Sequence, residues 1–345
     1  MTTEASPIMA SPDMPADMLA WQVPKPGEPA DVLTLGEVAV PRPGPGQVLI
    51  EIWSAGLSFP DVQLARGSYH QQPEMPFTPG LEACGEIVGV GVGVERVRLG
   101  ERVIGVMAMP HGSLAKYALA RSSDVLAAPN KLGDASASVF HVAYQTAWFG
   151  LYRRAQVRVG DTLLVHAAAG GVGSAAVQLG RAAGAKVIGV VGSAEKVPVA
   201  KRLGAETVID RSQQDVADAI RDATGGKGVD VVFDSVGGEA FEASTSVIAF
   251  EGRVVLVGFS GGKIPQAQTE HVLDHNYAIY GLNWALYRDR DPALVARAHA
   301  DLTSLVDVGA LAPLIFDKVQ FEDAPDALAR IAAGETVGRI AVSPP

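Results

Sequence analysis

Several features that mark other classes of protein are scarce or missing in this sequence of 345 residues. It has a single cysteine, Cys84, which excludes an internal disulfide framework and a zinc site built from several cysteines. No apolar run reaches the roughly 18 residues that a membrane-spanning helix needs. Lys and Arg number 28 against 38 Asp and Glu, and the net charge of -10 argues against nucleic acid or an anionic membrane surface as the partner.

The start of the chain also lacks the features of a signal peptide. Residues 1–17 contain no Lys or Arg and no apolar core, and they are rich in Met, Pro, Ser and Ala. We interpret them as a flexible N-terminal tail and expect a cytoplasmic protein. The rest of the chain has a globular composition, with 48% hydrophobic and 19% charged residues overall, and is long enough for two domains.

The stretch from Leu163 to Leu179 indicates a nucleotide site. An apolar run ends at Val165, and a turn of small residues and an alanine-rich helical pattern follow it. Gly171, Gly173 and Ala176 match the dinucleotide fingerprint, in which the first residue permits the turn, the second lets a pyrophosphate approach and the third lets helix pack on strand. Free N–H groups at the helix start would face the phosphates. The candidate pyrophosphate site is Gly170, Gly171, Val172 and Gly173.

Further apolar runs follow at the spacing of alternating strands and helices. They are Lys186–Val191, Thr207–Asp210, Val229–Asp234 and Gly252–Gly258. Continuous apolar runs of this length are typical of strands buried on both faces of a doubly wound parallel sheet. Because such sheets bind ligands at the carboxyl ends of their strands, the next candidate cofactor residues are Ser235, Val257, Phe259 and Ser260.

The end of the second strand, at Val191, bears on the choice of cofactor. NAD domains normally have Asp or Glu there, but this chain has Gly192 and Ser193. Lys196 and Arg211 could bind a 2′-phosphate through charge-assisted hydrogen bonds, or they could be solvated surface charges. The sequence therefore favours NADPH over NADH, with Glu195 keeping the second option open.

The remaining segments differ in pattern from the nucleotide-binding one. From Leu19 to about Pro129, short alternating runs broken by Gly and Pro are typical of an all-β barrel or sandwich. The segment after residue 282 has helical patterns and a last strand at Gly338–Val342, which we expect to return to the first domain. The predicted domains are 18–140 together with 283–345, and 141–282.

Three further motifs lie at Phe59–Val62, Pro76–Glu82 and Asp234–Gly238. With them, the chain from residue 19 onward resembles the medium-chain dehydrogenase/reductase superfamily, and within it the zinc-free quinone oxidoreductases related to zeta-crystallin. The resemblance implies an α/β fold in which a GroES-like β domain is interrupted by a Rossmann domain with a doubly wound parallel sheet. It also implies a substrate cleft between the two domains and a homodimer.

The resemblance also bears on metal. Where zinc alcohol dehydrogenases of the superfamily have ligand Cys and His, this chain has Ser58 in its Ala-Gly-Leu-Ser-Phe segment and Leu81. We therefore predict no metal, a structural Glu82, and a Cys84 that is a buried apolar residue rather than a nucleophile. Without zinc to polarise the substrate oxygen, the molecule that accepts the hydride must need little activation. This favours hydride transfer to a quinone or an α,β-unsaturated carbonyl.

Position in the family motifs assigns the remaining candidates. The catalytic candidates are Ser58, where most relatives have Asn; Asp61, which would hold its loop or contact substrate; and Tyr69, which would donate to the substrate oxygen or pack in its loop. The resemblance also implies that cofactor contacts come from Tyr144, Thr146 and Asn283 near the nicotinamide and Arg339 near the phosphates. Three histidines without ligand-like spacing are interpreted as structural: His141, His166 and His271.

Two other functions remain open beside an NADPH-dependent quinone or enone reductase. An enoyl thioester reductase of the acyl-CoA type would use the same cofactor but would need a long channel with basic residues at its mouth, and the first domain has few. A non-catalytic NADPH-binding structural protein is the other alternative, because some relatives of zeta-crystallin serve in the lens or bind RNA. A turnover assay separates this last function from the first two.

Overall fold

The structure is a computed structural model that describes residues 9–10 and 14–345. The predicted tail therefore falls largely outside the described residues; within it, residues 9 and 10 pair antiparallel with Val90 and Gly89. The chain divides into two compact units. Unit 1 comprises the described residues up to Val142 together with Pro313–Pro345, and unit 2 comprises Ala143–Ala312.

The described strands and helices are as follows. The strands are β1 (Met9–Ala10), β2 (Asp17–Gln22), β3 (Thr34–Ala39), β4 (Gln47–Leu57), β5 (Glu82–Val90), β6 (Arg102–Val106), β7 (Tyr117–Arg121), β8 (Val125–Ala127), β9 (Thr162–Val165), β10 (Lys186–Val191), β11 (Thr207–Asp210), β12 (Val229–Asp234), β13 (Ile248–Leu256), β14 (Ala278–Gly281), β15 (Ile315–Val319) and β16 (Arg339–Val342). The helices are α1 (Pro29–Val32), α2 (Phe59–Arg66), α3 (Asp134–Ser138), α4 (His141–Trp148), α5 (Gly171–Ala182), α6 (Val197–Leu203), α7 (Val216–Thr224), α8 (Glu239–Thr245), α9 (Thr269–His275), α10 (Trp284–Arg290), α11 (Pro292–Asp307) and α12 (Ala324–Ala332), and Phe149–Arg154 continues α4 as a π-helix.

Unit 1 is built around a sheet with the order β15–β16–β4–β5–β6–β8, with β7 paired to β4. The long strand β4 lies in the interior of this sheet, because it pairs antiparallel with β5, β7 and β16. Most of its residues are therefore buried. Strands β2 and β3 form a separate antiparallel pair. The β-rich first domain predicted from the sequence is confirmed.

Unit 2 contains a parallel sheet with the order β11–β10–β9–β12–β13–β14. Its strand order and parallel pairing confirm the doubly wound sheet. Helix α5 packs on it through a face of small and apolar residues, including Ala175, Ala176 and Leu179, which are fully buried.

The second boundary between the units differs from the predicted one. The sequence placed it after residue 282, whereas the structure groups residues 283–312 with unit 2. Helix α11 buries one apolar face, with Leu294, Ala298 and Leu302 shielded from solvent. Gln145 Nε2 donates to the Val295 carbonyl oxygen at 3.0 Å, which ties this helix to α4. The helical pattern predicted for this segment is confirmed, but no local pattern in the sequence indicates which unit the helix packs on.

Among the described residues, no helix combines the length and apolar character required to span a bilayer.

Candidate functional site

The turn between β9 and α5 folds so tightly that position 173 must be glycine. Ala167 adopts a left-handed backbone with φ of 50°, and the Gly170 N–H donates to its carbonyl oxygen at 2.8 Å. A Cβ on Gly173 would collide with the same oxygen and lie 2.7 Å from the carbonyl carbon. In the structure the immediate neighbour of Gly173 is the backbone of its own turn, and the approach of a pyrophosphate to this residue stays a prediction. Gly173 thus lets α5 begin directly against the end of β9.

The first turn of α5 is open to an anion. Its N-cap, Gly170, has no side chain that could satisfy the first N–H groups, and Gly171 and Val172 are only half-buried. Backbone N–H groups at a helix start, aided by the helix dipole, favour a phosphate. Residues 170–173 therefore fit the pyrophosphate of a dinucleotide.

The loops after β12 and β13 are joined by backbone hydrogen bonds at the same edge of the sheet. The Val257 N–H donates to the Asp234 carbonyl oxygen at 2.8 Å, and the Ser260 N–H donates to that of Ser235 at 3.1 Å. Phe259 lies beside them with 39% of its surface exposed. The structure thus brings together the candidates Ser235, Val257, Phe259 and Ser260.

Asp234 is a residue of this edge that the sequence analysis left without a role. Its Oδ1 accepts from the N–H groups of Val236 at 2.8 Å and Gly237 at 2.9 Å, which fixes the turn after β12. Its Oδ2 is buried and has no hydrogen-bond partner among the described residues. The sequence pattern that could have indicated a role for Asp234 is an acidic residue at the end of a buried strand, directly before a polar turn that contains glycine.

His166 lies at the end of β9 and is structural, as its lack of ligand-like spacing suggested. Its Nε2 is 2.7 Å from Ser244 Oγ, and that hydroxyl donates to the Ala240 carbonyl oxygen. Nε2 must therefore carry the hydrogen and donate to Ser244. Burial lowers the pKa of His166, with Asp234 opposing and Arg211 reinforcing the shift, so the ring is held neutral.

Arg211 lies against the end of β10, where the ribose of a dinucleotide is expected. One guanidinium nitrogen of Arg211 is 3.3 Å from the position that a Cβ would take on Gly192. No carboxylate within residues 14–345 is close enough to form an ion pair with it. The missing side chain of Gly192 therefore leaves room for this cation.

The other residues of this region are Ser193, Glu195 and Lys196. The Ser193 hydroxyl donates to the Glu195 carboxylate, and this hydrogen bond lowers the pKa of the fully exposed Glu195. Lys196 is half-buried and ends a short 3-10 helix, Ala194–Lys196. The grouping of Ser193, Lys196 and Arg211 around a 2′-phosphate stays a prediction, and the bond between Ser193 and Glu195 is one that the sequence did not indicate.

In unit 1, Ser58 and Asp61 are bound to each other. Asp61 is fully buried, and its Oδ2 accepts from Ser58 N–H at 2.8 Å and from Ser58 Oγ at 2.7 Å. Its Oδ1 accepts from the Leu81 N–H at 2.9 Å. Burial raises the pKa of Asp61, while its hydrogen bonds to Ser58 and Leu81 oppose that shift. Asp61 holds the start of α2, and Ser58 has its single hydroxyl hydrogen committed to Asp61.

Arg339, which the resemblance places near the cofactor phosphates, has hydrogen-bond partners within unit 1. It is buried in unit 1, where Nη2 donates to Glu82 Oε2 at 2.9 Å and Nε donates to the Leu57 carbonyl oxygen at 2.7 Å. Glu82 also accepts from the Val142 N–H at 2.9 Å. The buried guanidinium secures β16 to β4 and β5. Its contact with cofactor phosphates stays a prediction.

Two of the residues expected near the nicotinamide have structural partners as well. Tyr144 is 1% exposed, and its hydroxyl accepts from Gln178 Nε2 at 2.9 Å, which joins α4 to α5. Burial raises its pKa. Asn283 is exposed and caps α10 by accepting from the Ala285 N–H at 3.1 Å, and it belongs to unit 2 rather than to the returning segment. Thr146 is buried in α4.

Tyr69 follows α2 in unit 1. Gly67 ends that helix in the left-handed region, with φ of 72°, and the Tyr69 N–H donates to the Gln63 carbonyl oxygen at 3.2 Å. The ring is half-buried on the core of unit 1, and its centroid is 4.3 Å from that of His70. The residue is thus held by its backbone and by the packing of its ring.

The residues do not fit a zinc site. Within residues 14–345, no three His, Cys, Asp or Glu side chains come together as a ligand set. Leu81 is half-buried, and the neighbouring Glu82 is engaged by Arg339. Cys84 is buried, and its Sγ lies 3.8 Å from Asp134 Oδ1.

Comparisons with known proteins agree with this architecture. The family model "Alcohol dehydrogenase GroES-like domain" matches residues 44–130, and "Zinc-binding dehydrogenase" matches residues 171–299. Quinone oxidoreductase-like protein 2 of Rattus norvegicus is 34% identical over 313 residues, which are 90% of this chain and 89% of that protein.

Two solved structures are similar over nearly the whole chain. A mycobacterial protein complexed with NADPH is 29% identical, with a TM-score of 0.87 over 95% of this chain and 100% of that chain. A quinone oxidoreductase of Pseudomonas syringae pv. Tomato DC3000 has the same identity of 29%, TM-score of 0.87 and coverage of 95% and 100%.

Proposed function

Because this chain belongs to the quinone oxidoreductase-like family of medium-chain dehydrogenases/reductases, we propose that it is a zinc-independent oxidoreductase that uses NADPH to reduce a quinone or an α,β-unsaturated carbonyl. The observation that supports NADPH most directly is the Arg211 guanidinium against Gly192, where NAD domains normally have an acid. A mycobacterial relative was solved with NADPH, which agrees with this choice.

The cofactor would be held by residues at the carboxyl ends of the strands of unit 2. Bound NADPH would supply the hydride. The N–H groups at the start of α5 bind its pyrophosphate, and Arg211, Ser193 and Lys196 bind the 2′-phosphate. For Ser193 to donate to a phosphate, it must release Glu195, whose exposed carboxylate can turn into solvent.

The chemistry of unit 1 is proposed to depend on Tyr69 rather than on Ser58 or Asp61. Ser58 donates its hydroxyl hydrogen to Asp61, and Asp61 accepts three hydrogen bonds, so neither is set up to donate to a substrate oxygen. A tyrosine hydroxyl can stabilise the charge that grows on a quinone or enone oxygen as hydride arrives. The acceptor needs no metal because its conjugated oxygen takes up that charge.

A cytoplasmic location and a homodimeric assembly complete the proposal. The lone cysteine, which is free and buried, is compatible with a reducing compartment. Light scattering of the purified protein would give the number of chains in the assembly.

The NADPH assignment is tested by replacing Arg211. Loss of a charge-assisted bond to phosphate should weaken NADPH binding by ~1.5–3 kcal/mol and leave NADH binding nearly unchanged in Arg211→Ala. Lys196→Ala should act in the same direction. Arg202→Ala is the control, because Arg202 is an exposed arginine at the other end of α6. Titration of both cofactors by fluorescence measures the effect, and an unchanged ratio of the two affinities in Arg211→Ala would refute the assignment.

The acceptor is tested by following NADPH oxidation with a panel of quinones, enones and enoyl thioesters. Turnover of quinones or enones is expected. A preference for enoyl thioesters would indicate the acyl-CoA type of reductase, and cofactor binding without turnover of any acceptor would indicate a non-catalytic protein.

A further inference from the structure

A second cationic feature of unit 2 lies near the amino end of β9, away from the glycine turn that follows its carboxyl end. Here a cavity of about 470 Å³ is lined by arginines and tyrosines, namely Arg153, Arg154, Arg158, Arg253, Tyr280 and Tyr287. None of the described residues that line it is acidic. In a chain with a net charge of -10, this local concentration of positive charge opposes the overall balance.

The fold holds these arginines in place from two sides. Arg153 and Arg154 end the π-helix, and Gln156, with φ of 50°, turns the chain so that Arg158 returns toward them. Arg253 comes from β13, where Nη2 pairs with Asp161 at 2.8 Å and Nε donates to the Asp230 carbonyl oxygen. Both partners lie near the amino ends of their strands.

The charges in the cavity are not balanced within the unit. Arg253 has its partner in Asp161, but no carboxylate in residues 14–345 lies within ion-pair distance of Arg153, Arg154 or Arg158. Arg154 lies with its guanidinium carbon 5.3 Å from the centre of the Tyr280 ring, and its Nε is buried without a hydrogen-bond partner. A buried donor without an acceptor is unfavourable, and so is the mutual repulsion of nearby cations. An oxyanion in the cavity would remove both penalties.

From these observations we infer that the cavity binds a compact, multiply charged oxyanion, the chemistry shared by polyphosphates and tricarboxylates. Guanidinium groups match both kinds of oxyanion with paired hydrogen bonds. The volume lies in the range of small-ligand sites, which is about 300–1,000 Å³. The site is separate from the cofactor site, because its arginines precede β9 or lie beside its amino end, whereas the glycine turn follows that strand. It therefore offers the protein a second small-molecule ligand.

Calorimetric titration of the full chain with tripolyphosphate and, separately, with citrate tests the inference. We expect one site per chain for at least one of the two anions, and the anion that binds identifies the class. Arg154→Gln and Arg158→Gln should each weaken binding by about tenfold or more, since each loses a charged donor to the anion. The matched control is Arg202→Gln, which removes the same charge from an exposed site on the same unit and should bind as the wild type does. Arg158 is exposed, so its replacement tests the site even if Arg154→Gln does not fold.

Three results would overturn the inference. They are no binding of either anion to the wild type, equal losses in Arg202→Gln and in the two cavity variants, and complete displacement of the anion by NADPH. The outcome is independent of the proposed function, because the cofactor preference is read from Arg211 and the anion site from Arg154 and Arg158.

Discussion

Ser58 and Tyr69 are both hydroxyl residues of unit 1, and the Ser58 hydroxyl donates to a buried carboxylate, that of Asp61. If Tyr69 is the donor to the substrate oxygen, Tyr69→Phe should slow the chemical step by ~2.7–4 kcal/mol at most and leave the cofactor dissociation constant nearly unchanged. The loss should be larger with an enone than with a quinone, whose reduction is already downhill. Single-turnover hydride transfer measures it. Tyr117→Phe, another half-buried tyrosine of unit 1, is the control. Wild-type rates in Tyr69→Phe with both acceptors would make Tyr69 a packing residue.

Cys84 provides a residue-scale prediction about pH. Burial raises the pKa of its thiol from 9.0 to about 12, with Asp134 reinforcing and Arg102 opposing the shift. The folded protein therefore keeps the thiol protonated at pH 8 and should not react with a thiol reagent until it is unfolded. Because the folded pKa is the higher one, the stability due to this group is complete below pH 9 and is lost as pH rises toward 12. Rapid labelling of the native protein at pH 8 would contradict this account.

At the scale of elements, the start of α5 depends on Gly173. In Gly173→Ala the new methyl group would meet the Ala167 carbonyl oxygen, so the helix or the turn must move. We expect a loss of about 1–3 kcal/mol in stability, together with weaker cofactor binding, because the N–H groups of the first turn would be displaced. Gly281→Ala is the matched control, since a Cβ there meets nothing within 4 Å. Thermal unfolding and cofactor titration measure the two effects, and equal behaviour of both variants would show that the turn tolerates the methyl group.

At the scale of the whole molecule, the zinc-independence prediction can be tested directly. Purified protein should contain no stoichiometric zinc and should keep its activity in chelator, because Ser58 and Leu81 stand where zinc-dependent relatives have ligands. A zinc alcohol dehydrogenase treated in parallel is the control. About one zinc per chain, lost together with activity, would disprove this prediction.

The sequence predicted the strands of unit 2 better than the side-chain partners of either unit. Strands β10, β11 and β12 have the bounds read from the sequence, because buried parallel strands are continuous apolar runs. Strands β14 and β15 were missed, because most of their residues are half-buried and mixed in character. The pairing of Arg339 with Glu82 joins residues 257 positions apart and depends on the tertiary fold, so no local pattern could reveal it.

The division of unit 1 into two segments has a consequence for synthesis on the ribosome. Strand β16 pairs with β4, yet all of unit 2 lies between them in the chain. Unit 2 can therefore complete its sheet as soon as its own residues have emerged, whereas β4 and β5 must wait for Arg339. The segment translated first thus completes its fold last, and until then the end of β4 at residues 55–57 presents an open edge that a nascent-chain chaperone could cover.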